Sequence, residues 1–141
     1  MKRVLTIVAI TLLSVGLFSY LEGNNYTCTA EEELVAEQLS GLWKDSNRTL
    51  NNAYAIFSVE GSQLEMMHYL ESGGKAMVEK GRGKLIGRRL DYFVVVTKQI
   101  PGWAMTGEHF LTLSNDGRTL RGAYEDEKGN VGPLVFKKVG K

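Results

Sequence analysis

Ala53-Tyr54-Ala55-Ile56-Phe57-Ser58-Val59-Glu60-Gly61-Ser62-Gln63-Leu64-Glu65-Met66-Met67-His68-Tyr69-Leu70-Glu71 decides the fold. Two apolar-rich runs of period two flank a Gly-Ser pair. Period two belongs to a strand, whose side chains point alternately to opposite faces. A two-residue turn with glycine first is a hairpin connection. The same grammar continues on both sides. Upstream, Leu42-Trp43-Lys44-Asp45 forms a short first strand before the hairpin's own pair. Downstream, Ser72-Gly73-Gly74 closes the third strand. A fourth runs from Met77 to about Arg88, and Gly81, Gly83 and Gly87 within it point to a bend or bulge. The fifth is Leu90 to Lys98, followed by a turn at Ile100-Pro101-Gly102. The sixth runs from Trp103 to Ser114, and Asn115-Asp116-Gly117 is a strong hairpin signal. The seventh is Thr119 to Glu125 and the eighth Val131 to Val139.

Eight strands joined by short loops make a meander. Left open, it exposes two edges; closed into an up-and-down barrel, it exposes none. A two-sheet sandwich needs longer crossovers than these loops provide. The expected fold is therefore all-β: an eight-stranded antiparallel up-and-down meander barrel with a short N-terminal helix. The helix is read at Ala30 to Leu39, with Thr29 as its cap and Glu32 completing a capping box. Leu34, Val35 and Leu39 are expected to face the domain, and Ser40-Gly41 to end the helix.

The start of the chain has a different character. Lys2 and Arg3 precede an uncharged, mostly apolar run from Val4 to Leu21. This is the pattern of a secretory signal, although the only small-residue cleavage spacing, Ser14-Val15-Gly16, would cut the run short. The run also reaches the lower length limit of a spanning helix, so an N-terminal anchor is the second reading. Both put residues 29–141 outside the cytoplasmic membrane, in the periplasm or the extracellular space, with 1–23 as signal or anchor and 24–28 as linker. An inner-membrane tether would run through residues 4–21. Cys28 lacks the small-residue context of a lipidated cysteine and, as the only cysteine, has no internal disulfide partner.

The net charge is +1, and residues 24–141 carry 15 basic and 15 acidic side chains. That balance gives no reason to expect nucleic acid as a partner. Hydrophobic residues make up 43% of the chain, too many for a disordered one. Lys75, Lys80, Arg82, Lys84, Arg88 and Arg89 form the one basic stretch. Its two readings are a solvated edge that discourages strand addition and a contact for anionic headgroups.

Gly41-Leu42-Trp43 opens the first strand directly after the short helix. This resembles the Gly-x-Trp opening of the calycin superfamily, the lipocalins and avidins. The resemblance implies that Trp43 plugs one end of a barrel spanning Gly41 to Val139 and that a basic side chain packs over it. Arg121 and Lys137 are the preferred candidates, with Lys138 the third. The second and third lipocalin motifs and avidin's biotin-contacting pattern have no counterpart here, so no ligand carries over.

Candidate interior residues come from strand parity: Tyr54, Ile56, Met66, His68, Tyr92, Val94, His109, Leu111 and Tyr124. The pattern leaves open which parity is inward. Trp103, after Pro101-Gly102, is placed at a rim, where it can close a ligand mouth. The ligand-contact candidates are Tyr54, Met66, His68, Tyr92, Trp103, His109 and Tyr124. His68 and His109 are the only histidines, and without cysteine or carboxylate at ligand spacing they are read as structural, with no metal or cofactor expected. Cys28 lies outside the barrel, no Gly-x-Ser-x-Gly elbow occurs, and Glu125-Asp126-Glu127 sits in a turn. A non-enzymatic protein is expected. Two functions remain: a barrel that holds a small apolar or amphipathic ligand, and a filled barrel serving as an interaction module or inhibitor for an envelope protein. An interior void separates them, and the abundance of large apolar residues leans towards a filled interior.

Overall fold

The computed structural model describes residues 29–140. The expected leader and linker, and Cys28, lie outside the described residues. One helix, α1 (Ala30–Leu39), precedes eight strands: β1 (Gly41–Asp45), β2 (Asn51–Glu60), β3 (Gln63–Ser72), β4 (Lys75–Ile86), β5 (Arg89–Lys98), β6 (Thr106–Leu113), β7 (Thr119–Asp126) and β8 (Val131–Lys138). Each strand pairs antiparallel with the next, and β8 pairs back onto β1 through Trp43 opposite Lys138 and Lys44 opposite Lys137. The barrel is closed, in meander order. None of the eight described strands is an edge, so the edge reading of the basic stretch falls. Lys80, Arg82 and Lys84 instead stand exposed on the outer face of β4, flanked by paired strands on both sides.

Helix α1 begins on the capping box. The Glu32 amide donates to Thr29 Oγ1 at 3.2 Å, and the Thr29 amide donates back to Glu32 Oε2 at 2.9 Å. Val35 and Leu39 are buried, whereas Leu34 is exposed, contrary to expectation. The buried pair joins the interior cluster around Trp43 and Phe57. The helix therefore closes one end of the barrel and does not blanket its outside. Phe93 and Val95 on β5 stay exposed, as do Leu42, Ile56 and Met67, which lie side by side across β1, β2 and β3.

The interior has two halves. At the closed end, where β2 meets β3, β4 meets β5 and β6 meets β7, large side chains fill the barrel: Trp43, Phe57, Leu64, Leu85, Leu90, Leu111, Leu113, Leu120 and Phe136. Edge-to-face ring contacts stack them inward, from Trp43 to Phe57 at 6.3 Å and from Phe57 to both Tyr92 and Phe136 at 5.9 Å. Such pairs add about 0.5–1.5 kcal/mol each beyond their buried area. The other half, towards the β1–β2, β5–β6 and β7–β8 loops, is open.

The glycines expected to bend β4 do not: its pairing is irregular between Val78 and Glu79 instead, Gly87 lies in the β4–β5 turn, and Gly81 and Gly83 serve packing. Gly81 faces inward, and a Cβ there would lie 2.8 Å from Cδ2 of Tyr92. The missing side chain is the space that the tyrosine ring occupies. At Gly83, a Cβ would fall on the backbone of Asp91 and Tyr92.

Candidate functional site

Above the aromatic layer the barrel holds a cavity of about 600 Å³. Its upper wall is apolar, with Leu70, Met77 and Val96 among the lining residues, and Val94 and Leu134 line it from the closed-end cluster. Its floor is polar: Asp45, His68, Glu79 and His109, all buried, with Tyr124 beside them. The mouth is built by three loops, through Asn47 and Thr49, through Gly102 and Trp103, and through Lys128 and Asn130.

Register assembles the floor. The Gly73-Gly74 turn sets β3 against β4 so that His68 lies directly opposite Glu79. On its other side His68 pairs with Ala55, whose small side chain leaves room for the imidazole. His68 Nδ1 lies 3.0 Å from Glu79 Oε1, and its ring packs edge-on against Phe136 with centroids 5.4 Å apart. Asp45, the last residue of β1, approaches from the far side, with Oδ2 3.6 Å from His68 Nε2. Asp45 Oδ1 accepts the Asn47 amide at 2.8 Å. His68 is thus held between two carboxylates.

The environments of the two acids differ. Burial pushes the Asp45 carboxyl up, and the Asn47 amide and the facing His68 only partly offset this. Burial also pushes the Glu79 carboxyl up, but the hydrogen bond and charge of His68 outweigh it, and Glu79 ends below its ordinary value. Glu79 is therefore ionised and can only accept, so His68 Nδ1 carries the proton between them. His68 Nε2 is left without a hydrogen-bond partner.

His109, on β6, sits across the floor. Its Nδ1 is 3.1 Å from the Tyr92 hydroxyl, and its ring lies edge-on to Tyr92 and Tyr124. Burial holds the imidazole neutral, with its pKa lowered to about 4, and holds Tyr92 as the phenol. The Tyr92 hydroxyl and His109 Nδ1 share one buried hydrogen bond, which holds the ring in place across the floor.

Of the ligand-contact candidates, His68, His109, Tyr124 and Trp103 line the cavity, with Trp103 in the β5–β6 loop at its mouth and not in the sixth strand. Tyr92 lies beneath and holds His109. Met66 is buried in the closed-end cluster, with Leu111. Tyr54 and Ile56 point outward and are exposed; the inward residues of β2 are Ala53, Ala55 and Phe57. The basic side chain over Trp43 is neither Arg121, which is exposed, nor Lys137, whose Nζ donates to Thr119 Oγ1. It is Lys138, with Nζ 4.9 Å from the ring centroid. Sequence reasoning missed Asp45 and Glu79. Parity marks both: Asp45 shares a face with Trp43, and Glu79 lies opposite the Lys80, Arg82 and Lys84 face. Among the described residues no group of three or more His, Cys, Asp or Glu is placed to hold a metal ion. No protein-family model matches this chain, and no curated protein matches it.

Proposed function

We propose that this protein is an exported, lipocalin-like barrel that binds a small amphipathic ligand inside its open half. The observation that carries this reading is the cavity of about 600 Å³ with apolar walls, a polar floor and a loop-built mouth. Small-molecule sites typically measure about 300–1,000 Å³ and are mostly apolar, with a few convergent polar groups. The closed barrel and the Gly41-Leu42-Trp43 opening, with Lys138 over the tryptophan, support the likeness to the calycins. The basic residues and apolar run at the start of the chain support export to the periplasm or beyond, by a cleaved signal or an inner-membrane anchor. Binding is favoured over catalysis because, among the described residues, neither imidazole hydrogen-bonds a Ser, Thr or Cys nucleophile.

Native mass spectrometry tests the reading on protein recovered without detergent from cells expressing the full chain. A non-covalent adduct that disappears on denaturation is the expected result. A bare mass, together with no uptake of small amphiphiles added in excess, would overturn it.

A further inference from the structure

The cavity floor is electrostatically incomplete. Asp45 and Glu79 are each 5% exposed and His68 is 2% exposed. Two carboxyl groups flank one imidazole; with both ionised, even a protonated His68 leaves one negative charge in excess. No lysine or arginine of the cavity wall reaches down to them: Lys128, the one lysine or arginine among the described lining residues, lies at the mouth, where Nζ donates to the Gly102 carbonyl at 2.7 Å. Unpaired charge in a buried site is costly. A second, independent observation points into the same space. His68 Nε2 is buried without a partner, and its nearest carboxylate oxygen, on Asp45, stands off at 3.6 Å, beyond hydrogen-bond distance.

On the footing that the cavity binds a ligand at all, we propose that the ligand is a primary amine on an apolar body, its ammonium group seated against Asp45 on the Nε2 side of His68, while Glu79 holds the far ring nitrogen, Nδ1. An ammonium carries three donors and no acceptor. That matches the Asp45 carboxylate and the unpartnered imidazole nitrogen beside it, and its charge supplies what the floor lacks, Glu79 acting through the field rather than by contact. The apolar body then lies along Leu70, Met77 and Val96 towards the mouth. A carboxylate head in the same place would meet two like charges, so fatty acids are excluded. An alcohol can donate a single hydrogen bond and brings no charge.

Octylamine, octanol and octanoate, titrated calorimetrically into the full-length protein at neutral pH, separate these cases. Octylamine binds at least about tenfold tighter than octanol, and octanoate gives no heat of binding. Glu79→Gln and Asp45→Asn, near-isosteric changes, each weaken octylamine by about tenfold or more and leave octanol unchanged. Octanol or octanoate binding as well as octylamine would overturn the amine assignment and leave the cavity reading standing. No binding by any of the three would remove both. Should a variant not fold, the comparison of the three probes on the unaltered protein decides alone.

Discussion

The amine of Lys138 lies 4.9 Å from the centroid of the Trp43 ring and donates to the carbonyls of Gln38 and Ser40 at 2.6 Å each. Trp43 in turn donates its indole N–H to the Leu39 carbonyl at 2.8 Å. Helix α1 has no basic residue in its last turn. Its terminal carbonyls therefore depend on two side chains from the barrel, one of them a cation suited to the negative end of the helix dipole. Lys138→Met removes a charged donor from two carbonyls and should cost about 1–3 kcal/mol. Arg121→Ala, at an exposed position, should change stability by less than about 0.5 kcal/mol. Urea unfolding of both variants checks the contrast; equal effects would mean that Lys138 does not tie helix to barrel.

Trp43 itself is fully buried, beneath Lys138 and against Phe57. Trp43→Ala should destabilise the protein by about 3–5 kcal/mol, the usual cost of emptying a large aromatic site. The loss should also reach α1, because the Leu39 carbonyl loses its donor and Val35 and Leu39 lose the surface they cover. A variant with an unchanged melting temperature would show that Trp43 does not plug this end.

The strands were legible because alternation and glycine turns act locally: six of the seven connections between strands carry a turn dipeptide or a positive-φ glycine. Which face of β2 turns inward was not legible. Tyr54 and Ile56 are larger than Ala53 and Ala55, and hydrophobicity alone puts the larger pair inside. The barrel inverts this because its interior is narrow and already holds Phe57, Phe136, Tyr92 and two histidines. Small residues are what fit opposite them, as Ala55 does opposite His68. The polar floor was half legible. Parity found His68 and His109, but Asp45 and Glu79 read as ordinary surface charge. Only the register across the Gly73-Gly74 turn brings Glu79 against His68.

Gly122 tests how closely the wall is built. A Cβ there would fall on the carbonyl oxygen of Phe110 in the neighbouring strand, which is backbone and has no rotamer to yield. Gly122→Ala should cost at least the 1–3 kcal/mol typical of overpacking, and about that much again if β6 and β7 must separate locally. Thermal unfolding measures the loss. Hydrogen exchange should place the loosening at β6 and β7; uniform exchange across the barrel would rule out a local separation.

His109 makes stability depend on pH with a definite sign. It is packed by Tyr92 from β5 and Tyr124 from β7, and it feels the charges of Glu79 from β4 and His68 from β3. Burial lowers its pKa to about 4 from 6.5. Between those values the unfolded chain binds the proton and the folded chain does not, so stability rises with pH across that window. On acidification from 6.5 to 4, about 3 kcal/mol should be lost through this group alone. Two other groups act nearby with opposite signs. Glu79, held below its ordinary value, contributes stability that is lost as pH falls through its folded pKa. Asp45, raised by burial, loses stability as pH rises through its own window. Both are largely cancelled by comparing the protein with His109→Phe, which keeps a ring in place and removes the titrating nitrogen. Urea unfolding at a series of pH values should give a wild-type curve that falls more steeply than the variant's between pH 6.5 and 4. Parallel curves would mean that His109 titrates as freely in the folded barrel as in the unfolded chain, and that the cavity floor is wet enough to solvate its charge.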